Sequence, residues 1–245
     1  MIFLNIFRLL IITLILTIVT KVRILLVTAT DAEAEIMQRL NIPRDPEGKY
    51  IIGDSSVRVL VTGVGTVATA WALTKWFSSD SRPDLSVNAG IAGSFREELA
   101  PGDVVMPVSD CFADAGIETG KGFLTLAEAG LEHPDTFPFK GGRIIAENKY
   151  VQKTSAKIKP VSSITVNTAS GKDETIKRLI SKYDPDIETM EGAAFFYICS
   201  KEKVPFMGIR AISNRVESRN RYRWNIPLAL DNLAAVLQEV IFTLD

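Results

Sequence analysis

Thr189-Met190-Glu191-Gly192-Ala193-Ala194 places one carboxylate between Met190 and the apolar run 193–199. An ionised side chain in such a frame is expensive unless something pairs with it, so the position reads as a site. Downstream, the apolar strand expected over 204–212 is followed by a second polar residue in a similar setting, Asn214. One Glu and one Asn, both delivered by strand ends, outline a pocket that grips a neutral, polar small molecule.

Outward from this stretch, apolar runs of strand length alternate with helical periodicity, the pattern of an α/β domain whose sheet is covered on both faces. Strands are expected over 22–27, 57–61, 85–88, 104–108, 163–166 and 204–212, and helices over 32–40, 66–77, 172–182, 191–201 and 226–243. The segment 111–142, with Gly116, Gly120, Gly122, Gly130, Pro134 and Pro138, shows little periodicity. A long irregular insertion in a compact domain is more often functional than idle.

The chain has 245 residues, 47% of them apolar and 23% charged, enough for one core and too few to require two. A net charge of -1, with no basic cluster longer than residues 219–223, excludes a nucleic-acid partner. Cys111 and Cys199 form no CxxC motif, so neither a disulfide framework nor a zinc cage is indicated, and reduced thiols in the cytoplasm are expected. His133 is the single histidine and sits beside Pro134 in a loop-like region, which excludes a His-dependent triad or a multi-His metal site. No metal or organic cofactor is expected.

Residues 1–20 are a strongly apolar extension that looks like a membrane segment or a signal core. No small-x-small cleavage site precedes Lys21, and no linker separates the extension from the first strand. Two readings stand: Met1 is not the functional start and the folded domain begins near Lys21, or the extension is an anchor at the inner membrane.

Gly63-Val64-Gly65-Thr66-Val67-Ala68 follows a strand and opens a helix. It fits a loose dinucleotide fingerprint, but the acid expected roughly 20 residues on, Asp84, precedes its strand instead of ending it. The remaining reading is a tight turn whose N–H groups can face a ligand. Asn88-Ala89-Gly90-Ile91-Ala92-Gly93-Ser94 reads as a second glycine-rich strand end, where Gly90 lets the backbone approach a ligand; two such turns on neighbouring strands make a cleft. After the first strand, Asp31, Glu33 and Glu35 suit the start of a helix, and beside Glu191 one of them is a candidate general base.

The strings TATDAEAE, TGVGTVATA, NAGIAGSF with PGDVV, TMEGAA and GIRAISN, in that order from Lys21 onward, resemble the nucleoside phosphorylase/hydrolase superfamily. The resemblance implies a single domain over 21–245, an α/β three-layer αβα sandwich around a central mixed, partly barrel-like sheet. It also implies cleavage of the N-glycosidic bond of a small-molecule nucleoside, and a homo-oligomer. Glu191 would accept hydrogen bonds from the sugar hydroxyls while Met190 packs against the sugar, and backbone near Thr168 and Ala169 would flank the purine.

Phosphorylases of the superfamily carry a Gly-Asp-Pro…Arg loop after the first strand, because phosphate needs arginine and backbone donors. This chain has no Arg between that strand and Arg39. Here it resembles the methylthioadenosine/S-adenosylhomocysteine nucleosidases, in which the acid at the place of Glu33 aims and deprotonates water. Those adenine-cleaving enzymes have Asp where this chain has Asn214. An amide can donate to O6 or N7 and accept from a ring N–H, which suits a 6-oxopurine such as hypoxanthine.

Segments 112–118, 122–126, 166–171, 212–221 and 224–227 resemble the futalosine hydrolase subfamily, which removes hypoxanthine from futalosine in the alternative menaquinone pathway. That substrate carries a benzoate beyond C5′. The resemblance implies that Phe123 or a neighbour lines the extension and that Arg219 or Arg221 answers its carboxylate; alternatively these arginines are a solvated cluster or pair with Glu217. A broader purine nucleosidase acting on inosine, methylthioadenosine or S-adenosylhomocysteine is the other reading.

Overall fold

In chain order the strands are β1 (Arg23–Thr28), β2 (Tyr50–Ile52), β3 (Ser55–Val61), β4 (Leu85–Ser94), β5 (Val104–Asp110), β6 (Gly116–Thr119), β7 (Gly122–Thr125), β8 (Phe139–Lys140), β9 (Arg143–Ile145), β10 (Pro160–Thr165), β11 (Ile187–Thr189) and β12 (Phe206–Arg215). The helices are α1 (Asp31–Ala34), α2 (Ile36–Arg39), α3 (Thr66–Ser79), α4 (Lys149–Ser155), α5 (Asp173–Tyr183), α6 (Gly192–Lys201) and α7 (Ile226–Phe242), with a 3-10 turn at Arg221–Arg223. This computed structural model describes residues 22–40, 42–79, 82–120, 122–218 and 221–244; the apolar extension over 1–20 lies outside them, as does Arg219.

β1 is buried at every position except Arg23, and pairs in parallel with β3 on one side and β4 on the other. From β4 the sheet closes on itself. β4 runs antiparallel to β11, β11 parallel to β10, β10 parallel to β5, β5 antiparallel to β12, and β12 parallel to β4 again. The partly barrel-like sheet expected from the sequence is this ring, with β3 and β2 extending one edge and β9 and β8 the other.

Helices α3 and α6 pack together, while α7 lies against β4, β5, β12 and α2, giving the αβα layering. Phe195 and Phe196 of α6 are fully buried, and their rings meet Phe206 of β12 at centroid distances of 6.0 and 4.8 Å. Burying side chains of this size contributes about 1.5–3 kcal/mol each. That packing fixes the start of α6, and so Glu191, against the ring. Among the described residues, no helix is long and apolar enough to cross a membrane.

Several boundaries depart from the sequence reading. The helix expected over 32–40 is two short helices broken at Glu35. The glycine-rich stretch 88–94 is not a turn: β4 runs through to Ser94, and its glycines make room for side chains from other elements. β12 also continues past 212, so Asn214 lies inside the strand, at an irregularity between Ile212 and Asn214. The segment 111–142 contains the β6–β7 hairpin and β8. The short elements β2, β11 and α4 carry too little periodicity to be seen in sequence.

Candidate active site

Glu33 is held from all sides. Thr30 caps α1 with a capping box: its hydroxyl accepts from the Glu33 N–H, and the Glu33 carboxylate turns back on the cap. Glu33 Oε2 accepts from the N–H groups of Ala29 (3.0 Å) and Thr30 (3.1 Å) and from the Thr30 hydroxyl (3.1 Å). Its Oε1 accepts from the Ile91 N–H of β4 at 3.1 Å. A β-carbon at Gly90 would stand 2.5 Å from Glu33 Oε1, so Gly90 creates the space that this carboxylate fills.

Glu191 comes to the same place from the opposite side. It is half-buried at the start of α6, and its Oε1 accepts from the Gly65 N–H at 2.8 Å. Gly65 has φ +94, a backbone state that favours glycine and that turns its N–H toward the carboxylate. Burial raises the Glu191 carboxyl above the usual carboxylate range, and nearby Glu33 adds to the rise; the Gly65 N–H and Arg210 oppose it. Met190 is half-buried beside it.

A third charged residue, whose field acts on both carboxylates, is one the sequence reading passed over. Arg210, in the middle of apolar β12, is 2% exposed. Its Nη1 donates to the Asn88 carbonyl at 2.6 Å and the Ile209 carbonyl at 3.1 Å, and its Nη2 donates to Asn88 Oδ1. Burial lowers its guanidinium, while the charges of Glu191, Glu33 and Asp110 hold it up. The signal was available: a lone Arg inside FMGIRAIS is as anomalous as a lone Glu inside TMEGAA.

Asp110 forms the floor beneath α6. It is fully buried; its Oδ1 accepts from the Cys111 N–H (2.8 Å) and the Thr165 hydroxyl (3.0 Å), and its Oδ2 has no hydrogen-bond partner. Thr165 in turn accepts from the Ala193 N–H at 2.8 Å, in the first turn of α6. Desolvation lifts the Asp110 carboxyl to about 6, against the pull of Ser163, Thr165 and Arg143. A β-carbon at Gly192 would lie 2.2 Å from Asp110 Oδ2, so the glycine after Glu191 is required by this buried acid.

Asn214 sits one strand from β11, opposite Gly93 of β4. Its Oδ1 accepts from the Ser213 hydroxyl at 2.7 Å and its Nδ2 donates to the Arg215 carbonyl at 2.8 Å. Those contacts fix the amide's orientation and leave its second N–H for a ligand. Thr168 and Ala169 are exposed in the loop after β10, which is tied down at both ends. Asn167 donates to Asp114 through its N–H (2.6 Å) and Nδ2 (3.1 Å) and accepts from the Thr66 hydroxyl at 2.7 Å, while Ser170 bonds to Glu188.

The structure thus gathers Glu33, Gly90, Glu191 and Asn214 along β4, with Met190 and the Thr168–Ala169 loop beside them. Phe123 stands elsewhere. It lies on the β6–β7 hairpin with the Arg178 guanidinium 4.7 Å and the Lys182 ammonium 5.9 Å from its ring centroid, both on α5. Arg219 and the side chain of Arg221 fall outside the described residues. A separate cavity of about 520 Å³ opens between the 111–142 segment, α5 and α6, walled by Phe112, Phe139, Tyr183, Tyr197 and Arg143. None of its walls belongs to the Glu33–Glu191–Asn214 set. Among the described residues no cluster of three or more His, Cys, Asp or Glu could hold a metal.

Residues 23–241 match the Phosphorylase superfamily. A futalosine hydrolase from Streptomyces coelicolor is 33% identical over 180 residues, 70% of this chain and 73% of the relative. A 5'-methylthioadenosine/S-adenosylhomocysteine nucleosidase from Buchnera aphidicola is 26% identical over 206 residues, 80% of this chain and 84% of the relative. The solved structure of the nucleosidase of that name from Neisseria meningitidis superposes with a TM-score of 0.75 at 16% identity, over 90% of this chain and 99% of that one. The chain belongs to the phosphorylase superfamily. Within it, the chain is a nucleosidase, an enzyme that hydrolyses N-glycosidic bonds.

Proposed function

We propose that the chain hydrolyses the N-glycosidic bond of a 6-oxopurine nucleoside, with futalosine as the substrate and hypoxanthine as the released base. The observation that carries the choice of base is Asn214: an amide, held with one N–H available, stands where the adenine-cleaving relatives have a carboxylic acid. An amide N–H stabilises O6 or N7 of a departing hypoxanthine without supplying a proton. The 33% identity to a futalosine hydrolase supports the particular substrate.

Water is favoured over phosphate by the way β1 ends. The N–H groups of Ala29 and Thr30, which could face an anion, are already occupied by the Glu33 carboxylate. A phosphate there would meet a fixed negative charge.

As the glycosidic bond stretches, positive charge develops at C1′ and the ring oxygen. In this reading the Glu191 oxygen not bound to Gly65 takes the sugar hydroxyls, and Glu33 aims a water at C1′ and accepts its proton. Both carboxylates stabilise the developing cation, and the buried charge of Arg210 offsets their mutual repulsion.

Incubation with futalosine, inosine, methylthioadenosine and S-adenosylhomocysteine, followed by chromatography of the released base, tests this function. Hypoxanthine from futalosine as the fastest reaction is expected. Adenine from methylthioadenosine as the fastest would establish instead the broader nucleosidase reading, which the Buchnera relative keeps open.

A further inference from the structure

Glu191 stands at the N-cap of α6, the position whose side chain ordinarily satisfies the first backbone N–H groups of a helix. Its carboxylate makes no capping bond to the helix and turns instead to the Gly65 N–H. Two other strands supply the cap. The Gly192 N–H donates to the Thr189 hydroxyl at the end of β11 (3.2 Å), and the Ala193 N–H donates to the Thr165 hydroxyl at the end of β10 (2.8 Å). The two hydroxyl oxygens are 3.2 Å apart, and Thr165 Oγ1 lies 3.0 Å from Asp110 Oδ1. Asp110, Thr165 and Thr189 are all buried.

These contacts are all satisfied with the protons arranged one way. A hydroxyl has one proton and two acceptor sites. Thr165 Oγ1 accepts from Ala193, so its own proton goes either to Thr189 or to Asp110. Asp110 Oδ1 accepts from the Cys111 N–H at 2.8 Å. With the Thr165 proton turned to Thr189, two bare oxygens would face each other in a buried space, an unsatisfied arrangement. Turned to Asp110, it lets Thr189 donate to Thr165, and both threonines then present lone pairs to the helix. Oδ1 can accept whether Asp110 is ionised or carries a proton on Oδ2. The carboxylate also faces the positive end of α6, with Oδ2 lodged against the space that a Gly192 β-carbon would need.

We propose that Asp110 is a positioning residue for Glu191: by directing the Thr165 and Thr189 hydroxyls toward the first turn of α6, it holds the helix start and releases the N-cap carboxylate for the sugar. The inference rests on the reading that Glu191 takes the sugar hydroxyls, and adds how that carboxylate is kept free to do so. Asp110 acts through the two hydroxyls and the backbone of Gly192 and Ala193, without touching the substrate. A side chain that both capped α6 and held a ligand would divide its oxygens between them, and the relay from β10 and β11 removes that competition.

A buried trio of this kind can also serve stability alone. A double-mutant comparison separates the two roles, with kcat/KM for base release from the fastest nucleoside of the panel above as the readout. Thr165→Val keeps the shape of the side chain and removes the hydroxyl; Asp110→Ala keeps the hydroxyl and removes what directs it. Each is expected to lower kcat/KM roughly 10- to 100-fold, and Thr165→Ser should recover most of the Thr165→Val loss. In a Glu191→Ala background, where no carboxylate remains to be placed, the same substitutions should change kcat/KM by less than about threefold. Equal losses with and without Glu191, or no recovery in Thr165→Ser, would overturn the assignment. Should Thr165→Val fail to fold, Asp110→Ala carries the comparison; failure of both to fold would assign the trio to stability and overturn the proposal as well. A Glu191→Ala variant as active as the parent would instead overturn the sugar reading on which the inference rests.

Discussion

At the end the proposal gives to the sugar, Glu33 and Glu191 act electrostatically on one buried arginine, Arg210, and are held by backbone N–H groups of Ala29, Thr30, Ile91 and Gly65. Less than one strand length further along β4, at the end the proposal gives to the base, Asn214 pairs with Gly93 and its amide is held by the Ser213 hydroxyl and the Arg215 carbonyl. The two ends manage buried polarity in opposite ways. Where the ligand brings hydroxyls and a transient positive charge, the protein balances its own charges in advance. Where the proposed ligand brings a fixed pattern of donors and acceptors, Asn214 keeps one N–H unmatched, for a complementary base to complete. On the proposed reading, the first arrangement serves any nucleoside and the second chooses among them.

That contrast can be broken first at the sugar end. Glu33→Gln keeps the shape of the side chain and removes the base, so kcat should fall roughly 10³- to 10⁴-fold while a substrate analogue binds nearly as before. Residual turnover within tenfold of the parent, by single-turnover kinetics, would remove Glu33 from that role. Gly90→Ala attacks the same carboxylate by geometry alone. The added methyl would stand 2.5 Å from Glu33 Oε1, and displacing the carboxylate should lower kcat about 10²-fold. An unchanged kcat would mean that the position of Glu33 does not limit catalysis.

The base end should respond in preference more than in rate. Asn214→Asp offers an acid to N7 and is expected to shift the kcat/KM ratio toward the 6-amino analogue of futalosine by roughly 10- to 100-fold. A proportionate loss on both substrates would show that Asn214 does not read the base.

The smallest effect lies beneath both ends, at Asp110. Its folded-state value of about 6 lies above the ordinary aspartate value of about 3.9, so the folded protein holds this proton more tightly than the unfolded chain. The stabilisation is fully present below about pH 4 and is lost as pH rises through 6. In Asp110→Asn that pH-dependent loss is absent. Relative to the parent, the variant should gain about 2 to 3 kcal/mol in unfolding free energy between pH 4 and pH 7, whatever its absolute stability. Urea unfolding at a series of pH values measures this, and a pH-independent difference between the two proteins would contradict it.

Much of the site was legible because it broke local rules. Glu191 stood out as a charge in an apolar run, and Asn214 stood out at the end of a buried strand. Arg210 broke the same rule and was overlooked, because it lay between residues that formed a convincing strand. The glycines of β4 misled in the opposite direction. Gly is depleted from strands, so NAGIAGS read as a turn, whereas Gly90 and Gly93 are strand residues whose missing side chains admit Glu33 and Val216. Alternation of strands and helices revealed the layers. Closure of the ring was not legible, since it depends on pairings between β4, β5, β11 and β12 that are distant in sequence.

The central claim, that Glu33 activates water at a purine nucleoside held by Glu191, is tested most directly by following base release from futalosine in phosphate-free buffer and again with added phosphate. The account predicts hypoxanthine at the same rate in both, with a free sugar as co-product and no sugar 1-phosphate. Release that requires phosphate, or a sugar 1-phosphate among the products, would contradict it.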